Sequence, residues 1–288
     1  MMDKNYPVSA TATVQSTLEQ GPKGQKSRRS VNIWAWIIFI LGTIYFFLPL
    51  VSVFEFSLRA KRGVYSFEAY RLAFQDPRFY ENFGLSLVWS VLTIIVSLLL
   101  IVPTAYWVHL RLPRWRPVVE FFTLMPFVVP AVVLVFGMAR LYGNRVTDFV
   151  VSSPMALIAG YVVLSFPYMY RSVDAGLRAI DVRTLTEAAQ SLGASWFVIL
   201  FQVIFPNLRV AILSGVFLTF AIVMGEFTFA SLLSKPAFGP YMEEIGAMRA
   251  YTPQALSVVS FLITWLCIGL INRIARGAPG QGQIAGAR

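Results

Sequence analysis

The apolar residues of this chain arrive in blocks of about twenty, long enough for a helix to cross the hydrocarbon of a bilayer. Residues 33–54 show this best: a run of Ile, Trp, Phe, Leu and Val without one charged side chain. A water-soluble fold has no means of covering six such blocks, and closed helices satisfy their own backbone polar groups in lipid. The blocks fall at 33–54, 85–108, 118–138, 152–170, 210–233 and 255–274. They predict an all-α membrane protein with six transmembrane helices. Pro126, Pro130 and Pro167 interrupt the third and fourth blocks, which membrane helices tolerate where neighbours satisfy the freed carbonyls.

Composition agrees. Charged residues make up 13% and hydrophobic residues 57% of the 288 positions, against roughly a quarter charged in an ordinary soluble domain. The net charge of +10 raises the question of nucleic acid, and its distribution answers it. With the N-terminus inside, 15 of the 24 basic residues fall in cytoplasmic segments alongside five acidic ones. Positive residues concentrate on the cytoplasmic side of membrane proteins, so the excess reads as topology, with both termini cytoplasmic and no nucleic-acid partner. The single Cys267 precludes a disulfide within the chain, and the lone His109 precludes a zinc cage of the usual kind. No nucleophile–base–acid set, dinucleotide fingerprint or metal spacing is present, so the chain is not expected to be an enzyme.

Residues 1–31 are polar and without period, a disordered cytoplasmic tail by composition. Residues 277–288 form a second tail, and the membrane domain occupies 32–276. Ser27-Arg28-Arg29-Ser30 is similar to a twin-arginine signal. The apolar run after it is about 22 residues long and lacks a small-residue cleavage site, so a retained first span is expected. Gly24-Gln25-Lys26-Ser27 lacks the spacing of a phosphate-binding loop. Any ATP, with its magnesium, must therefore be bound by a partner, and no cofactor is expected in this chain.

Residues 171–209 read as two short helices. Thr184-Leu185-Thr186-Glu187 fits a capping box, in which hydroxyl and carboxylate exchange bonds with backbone amides. Leu185, Ala188, Ala189 and Leu192 then make an apolar stripe at i, i+3, i+4 and i+7. Gly193 stands where a left-handed C-cap belongs. Ser195 can cap a second helix, Trp196 to Phe205, which Pro206 is expected to stop. A short helix whose face is alanine at its centre lets another surface approach closely.

At these residues the chain resembles a known family. Glu187-Ala188-Ala189, three residues, Gly193, nine residues, then Val203-Ile204-Phe205-Pro206 is similar to the EAA loop of permease subunits of bacterial ATP-binding-cassette importers. Val203 and Phe205 replace the family's Ile and Leu and stay apolar. Tyr65–Tyr70, Ser86, Met125–Pro130, Gly225-Glu226-Phe227 and the stretch from Pro240 to Ser257 resemble the spermidine/putrescine-type subgroup, with ferric-ion and phosphonate relatives. The resemblance covers roughly residues 35 to 275, with a core at about 80–275. It implies the type I importer transmembrane fold in the bacterial inner membrane. It also implies two cytoplasmic ATPases, a second permease subunit (paralogue or identical) and a periplasmic solute-binding protein. Glu187, Ala188, Ala189, Gly193 and Pro206 would belong to the ATPase-coupling loop. The implied cargo is a polyamine first, ferric ion or a phosphonate second.

Glu226 is the charged residue nearest the middle of a span, about 5–8 Å from the midpoint of residues 210–233 at 1.5 Å per residue. Such residues usually face a bundle interior or a water-filled path. Two readings stand: it lines the translocation route and favours a cation, or it is tied structurally, with Arg140, Arg145 or the partner subunit as candidates. Glu120 and Arg116 read as an interfacial pair. Ser86, Ser90, Thr93 and Ser97 read as a helix-contact stripe. Tyr161, Tyr168 and Tyr170 read as interface-belt aromatics. His109 reads as interfacial, and Glu243 and Glu244 as a solvated pair on a surface a binding protein could touch. An ATP-independent carrier or channel is the alternative. It would show inverted repeats, which the halves lack, and has no use for the loop.

Overall fold

The computed structural model describes residues 33–61, 63–142 and 148–276. Both predicted tails, the motifs at 24–30 and Arg145 lie outside the described residues. By contacts the chain divides into two units, Met1–Leu50 and Val51–Arg288. The described part of the first unit belongs to helix α1 (Ile33–Ser57), at the first predicted block.

In the second unit, α2 (Glu68–Gln75) leads into α3 (Pro77–Arg111). Asp76 caps α3 by accepting the Arg78 N–H at 3.0 Å, with Pro77 at the first helical position, where its missing N–H costs nothing. A 3₁₀ turn (Pro113–Trp115) precedes α4 (Arg116–Val128) and α5 (Ala131–Tyr142). Then come α6 (Asp148–Ser152), α7 (Pro154–Arg178), α8 (Val182–Ser191) and α9 (Trp196–Asn207). The chain finishes with α10 (Arg209–Met224), α11 (Thr228–Leu232), α12 (Phe238–Met248) and α13 (Thr252–Arg276). No strand occurs among the described residues.

Helices stand at all six predicted positions, with two modifications. The third is bent by 99° between α4 and α5, at Val129-Pro130, where the proline cannot continue the ladder and restricts the residue before it. The fifth ends at Met224, short of the predicted Leu233. Among the described residues, α1 and α3 are each long and apolar enough alone to cross a bilayer, and up to four spans result if each bent pair is one.

Helix α7 is the hub, packed against α3, α4 and α10. Small residues allow the approach: a Cβ on Gly176 would lie 2.5 Å from the Ala211 Cβ, and one on Gly215 would lie 2.6 Å from the Met169 Sδ, as is usual where helices meet in lipid. The serine stripe of α3 lies inside this contact. Ser86, Ser90, Thr93 and Ser97 are all buried. The Ser97 hydroxyl is 3.0 Å from that of Ser165 on α7, and the Ser86 hydroxyl accepts the Phe238 N–H at 2.8 Å. Tyr161 and Tyr170 are buried as well, which corrects their assignment to an interface belt. Both point along the α7 faces that meet other helices; Tyr168 packs on Phe127 at 5.2 Å between ring centres. Leu99, Leu100, Phe121, Phe122, Val133 and Phe136 are exposed on α3, α4 and α5, more apolar surface than a soluble monomer leaves bare.

Candidate functional site: the loop-bearing end of the bundle

The 182–207 segment is built into the bundle rather than appended to it. One apolar core unites Ile101, Ala105 and Tyr106 of α3, Met169, Val173 and Leu177 of α7, Leu208 just before α10, and Ile212 of α10. Val182 and Ala189 of α8 and Ile199, Leu200 and Ile204 of α9 complete it. The Tyr106 hydroxyl lies 2.8 Å from that of Thr186, both buried. Trp196 packs on Tyr106 and Trp107, with ring centres 4.8 and 4.9 Å apart.

Helix α8 begins earlier than the capping box requires. Its cap is Asp181, whose carboxylate accepts the Thr184 N–H at 3.1 Å and the Thr184 hydroxyl at 2.7 Å. These bonds favour the ionised form and hold the Asp181 carboxyl below its ordinary value. Thr184 is thus inside the helix, and Glu187 caps nothing: it pairs with Arg183 at 2.7 Å, exposed on the outer surface. Asp181 outcompetes Thr184 because its carboxylate can take amide and hydroxyl together.

The face assignment shifts accordingly. Val182, Leu185, Thr186 and Ala189 turn inward, whereas Glu187, Ala188 and Leu192 turn outward, Leu192 being 88% exposed. Gly193 has φ +77° and closes the helix as expected. Its N–H bonds the Gln190 carbonyl at 2.9 Å and the Ala194 N–H bonds that of Ala189 at 3.1 Å, the Schellman pattern. Ser195 stands at the start of α9 but makes no side-chain cap. Pro206 does not stop α9. The helix widens instead to five-residue turns over Ile199–Ile204, with the Phe205 N–H on the Leu200 carbonyl, and ends at Asn207. A 79° bend then leads into α10. Widening of this kind accommodates a residue without an N–H donor.

Glu226 lies in the break between α10 and α11, 8% exposed. Its carboxylate accepts the N–H of Phe229 at 2.9 and 3.0 Å and that of Ala230 at 3.4 Å, so backbone donors satisfy it. Of the cations considered for it, Arg145 lies outside the described residues, and among the described residues no ion pair joins Arg140 to it. Gly239 admits this arrangement, since a Cβ there would sit 2.5 Å from the Glu226 carbonyl oxygen.

A charged cluster beneath the same end was not legible as a unit. His109 meets Asp174 at 2.7 Å, Arg116 meets Asp174 at 3.0 Å and Glu120 at 3.1 Å, and Arg178 meets both acids. His109 is therefore a partner of a buried carboxylate and not a bare interfacial residue, and the Arg116–Glu120 pair is part of a larger network. The sequence signals for it are the i, i+4 spacings of Arg116 with Glu120 and of Asp174 with Arg178. On the far side of the bundle Glu244 pairs with Arg78 at 2.5 Å.

This architecture, a helical bundle with an outward-presenting helical loop fused to three of its helices, is that of an importer's membrane component. Residues 110–277 match the binding-protein-dependent transport system inner membrane component family, and the chain belongs to that family, the permease subunits of ATP-binding-cassette importers. It is 29% identical over 221 residues to the spermidine/putrescine transport system permease protein PotB of Haemophilus influenzae, covering 70% of this chain and 75% of that one. It is 30% identical over 189 residues to a probable molybdenum ABC transporter permease of Haloferax volcanii, covering 63% and 64%. In fold it is similar to a bacterial ABC transporter involved in import of the acidic polysaccharide alginate, with TM-score 0.61 over 90% of this chain and all of that one at 16% identity. A bacterial alginate transporter in complex with its alginate-pentasaccharide-bound periplasmic protein aligns with TM-score 0.65 over 84% of this chain and 94% of that one, at 14% identity.

Proposed function

We propose that this chain, with a second permease subunit (paralogous or identical), forms the path by which a solute released from a periplasmic binding protein crosses the inner membrane. Six spans carry it, with both termini and the 182–207 segment in the cytoplasm. Two cytoplasmic ATPases, which bind ATP and magnesium, grip the outer face of α8 formed by Glu187, Ala188 and Leu192. Gly193 and Pro206 fix the shape of the segment, and Ala189 seats it on the bundle. The carrying observation is the two-sidedness of α8: its inner face shares one core with α3, α7 and α10, while its outer face leaves Leu192 bare. A rigid push on such an element is delivered to three helices together, the usual basis of a two-state transition in a packed bundle.

A polyamine is the favoured solute, supported by the spermidine/putrescine relative. An oxyanion is the second reading, favoured by the molybdenum relative and by a sulfate permease relative 33% identical over 119 residues. Glu226, held by backbone donors, supports the route only indirectly, by shaping the α10–α11 break. Purification from native membranes in mild detergent tests the coupling: an ATPase should co-elute with this chain and be lost on Ala188→Glu. An ATP-independent carrier would elute alone and retain uptake. Uptake of radiolabelled spermidine, competed by putrescine but not by molybdate or sulfate, tests the solute.

A further inference from the structure

We infer that Asp174 is a positioning residue that clamps α4 to the loop-bearing end of α7, so that movement of the coupling segment reaches the bent third helix. This rests on the coupling reading of residues 182–207.

The last two turns of α7 have two working faces. Val173 and Leu177 belong to the core that holds α8 and α9. Asp174, between them, faces the other way, with its side chain 9% exposed. Its Oδ1 accepts from His109 Nε2 of α3 at 2.7 Å and from the Arg116 guanidinium of α4 at 3.0 Å. Its Oδ2 meets Arg178 at 2.6 Å and the same Arg116 nitrogen at 3.2 Å. Arg178 continues to Glu120 of α4 at 2.8 Å, closing a ring through Arg116. One carboxylate thus joins three helices.

The ring ties the start of α4. None of the residues of α4 is fully buried; Val119 reaches the core and Phe127 packs on Tyr168, and the 99° bend at Val129-Pro130 separates α4 from α5. A partly packed element hinged at one end gains a fixed position from specific bonds at the other end. Without the Asp174 charge, the Arg116 and Arg178 guanidiniums would face one another with Glu120 alone to balance them. A charge-assisted, partly dry network has defined geometry, which suits transmission of a displacement.

The test uses the purified importer with Cys267→Ser, Val118→Cys and Ala179→Cys, nitroxide-labelled on α4 and at the end of α7. Distances are read by pulsed electron resonance without nucleotide and with ATP and vanadate. The parent should give a narrow distribution that keeps its width in both states. Asp174→Asn should broaden it, with loss of a defined distance, and Asp174→Glu should restore it. A distribution in Asp174→Asn as narrow as the parent's in both states overturns the inference. If Asp174→Asn does not accumulate, Arg178→Gln, which leaves His109 and Arg116 on Asp174, must broaden the distribution, and failure to do so overturns it equally. Should no ATPase accompany the parent, the coupling reading falls, while broadening without nucleotide still supports the clamp.

Discussion

The hydroxyls of Tyr106 and Thr186 meet at 2.8 Å, eighty residues apart in sequence and both buried, and join the end of α3 to the middle of α8. The Thr186 hydroxyl also donates to the Val182 carbonyl at 2.7 Å. With that proton committed to Val182, Tyr106 donates and Thr186 accepts.

The two partners are therefore not equivalent. Tyr106→Phe removes one bond and leaves Thr186 satisfied by Val182, costing about 1 kcal/mol. Thr186→Val strands a buried phenol and should cost more, about 1–3 kcal/mol. Thermal unfolding in detergent checks the order; equal losses would mean that the bond does not form as described.

Gly193 has φ +77° with nothing within 4 Å of where a Cβ would stand, so its requirement is conformational and not steric. Gly193→Ala should destabilise the end of α8 by about 1–2 kcal/mol, and Gly193→Asn by less. Hydrogen exchange of the Ala194 N–H, which bonds the Ala189 carbonyl, should accelerate in the same order.

Asp181 provides a pH signature. Its folded carboxyl is held below the ordinary value by the Thr184 N–H and hydroxyl. A lowered folded value stabilises above the unfolded one, near about 3.9, and that contribution disappears as pH falls through the folded value. The cap is thus intact throughout the physiological range. Amide exchange at Thr184 should rise only on acidification below about pH 4, and Asp181→Asn should remove that acid limb.

Glu226 accepts two backbone N–H groups in a buried break. Glu226→Ala leaves both without their acceptor and should cost about 1–3 kcal/mol for each buried group. Glu226→Gln, retaining one acceptor oxygen, should cost less. Melting and spermidine uptake measured together distinguish the roles: uptake lost with unchanged melting assigns Glu226 to the route, and parallel losses assign it to holding the α10–α11 break.

The positions of the helices, the EAA spacing, the Gly193 stop and the serine contact stripe could be read in the sequence, because each follows from local chemistry or from periodicity along one helix. The cap of α8 could not, because Asp181 and Thr184 are both competent caps and only the path of the chain out of α7 selects between them. The inward face slipped for the same reason: Ala188 and Ala189 are chemically alike, and burial of Ala189 in the core that also holds Ile199 and Ile204 of α9 depends on how the segment folds back onto the bundle. Asp174 follows His109 by 65 residues and Arg116 by 58, across the entire third helix, so nothing local announces that the two share its carboxylate.

The sequence by itself determined that this chain dissolves in lipid, where helices must form, and which loop carries the alanine-faced segment, since apolar run length and backbone hydrogen-bond demand act locally. Tertiary structure alone decided which alanine faces out, which acid is a cap and which a clamp, and where the fifth helix breaks. Those outcomes depend on which groups from distant helices arrive at the same place, and an isolated segment carries no record of its neighbours.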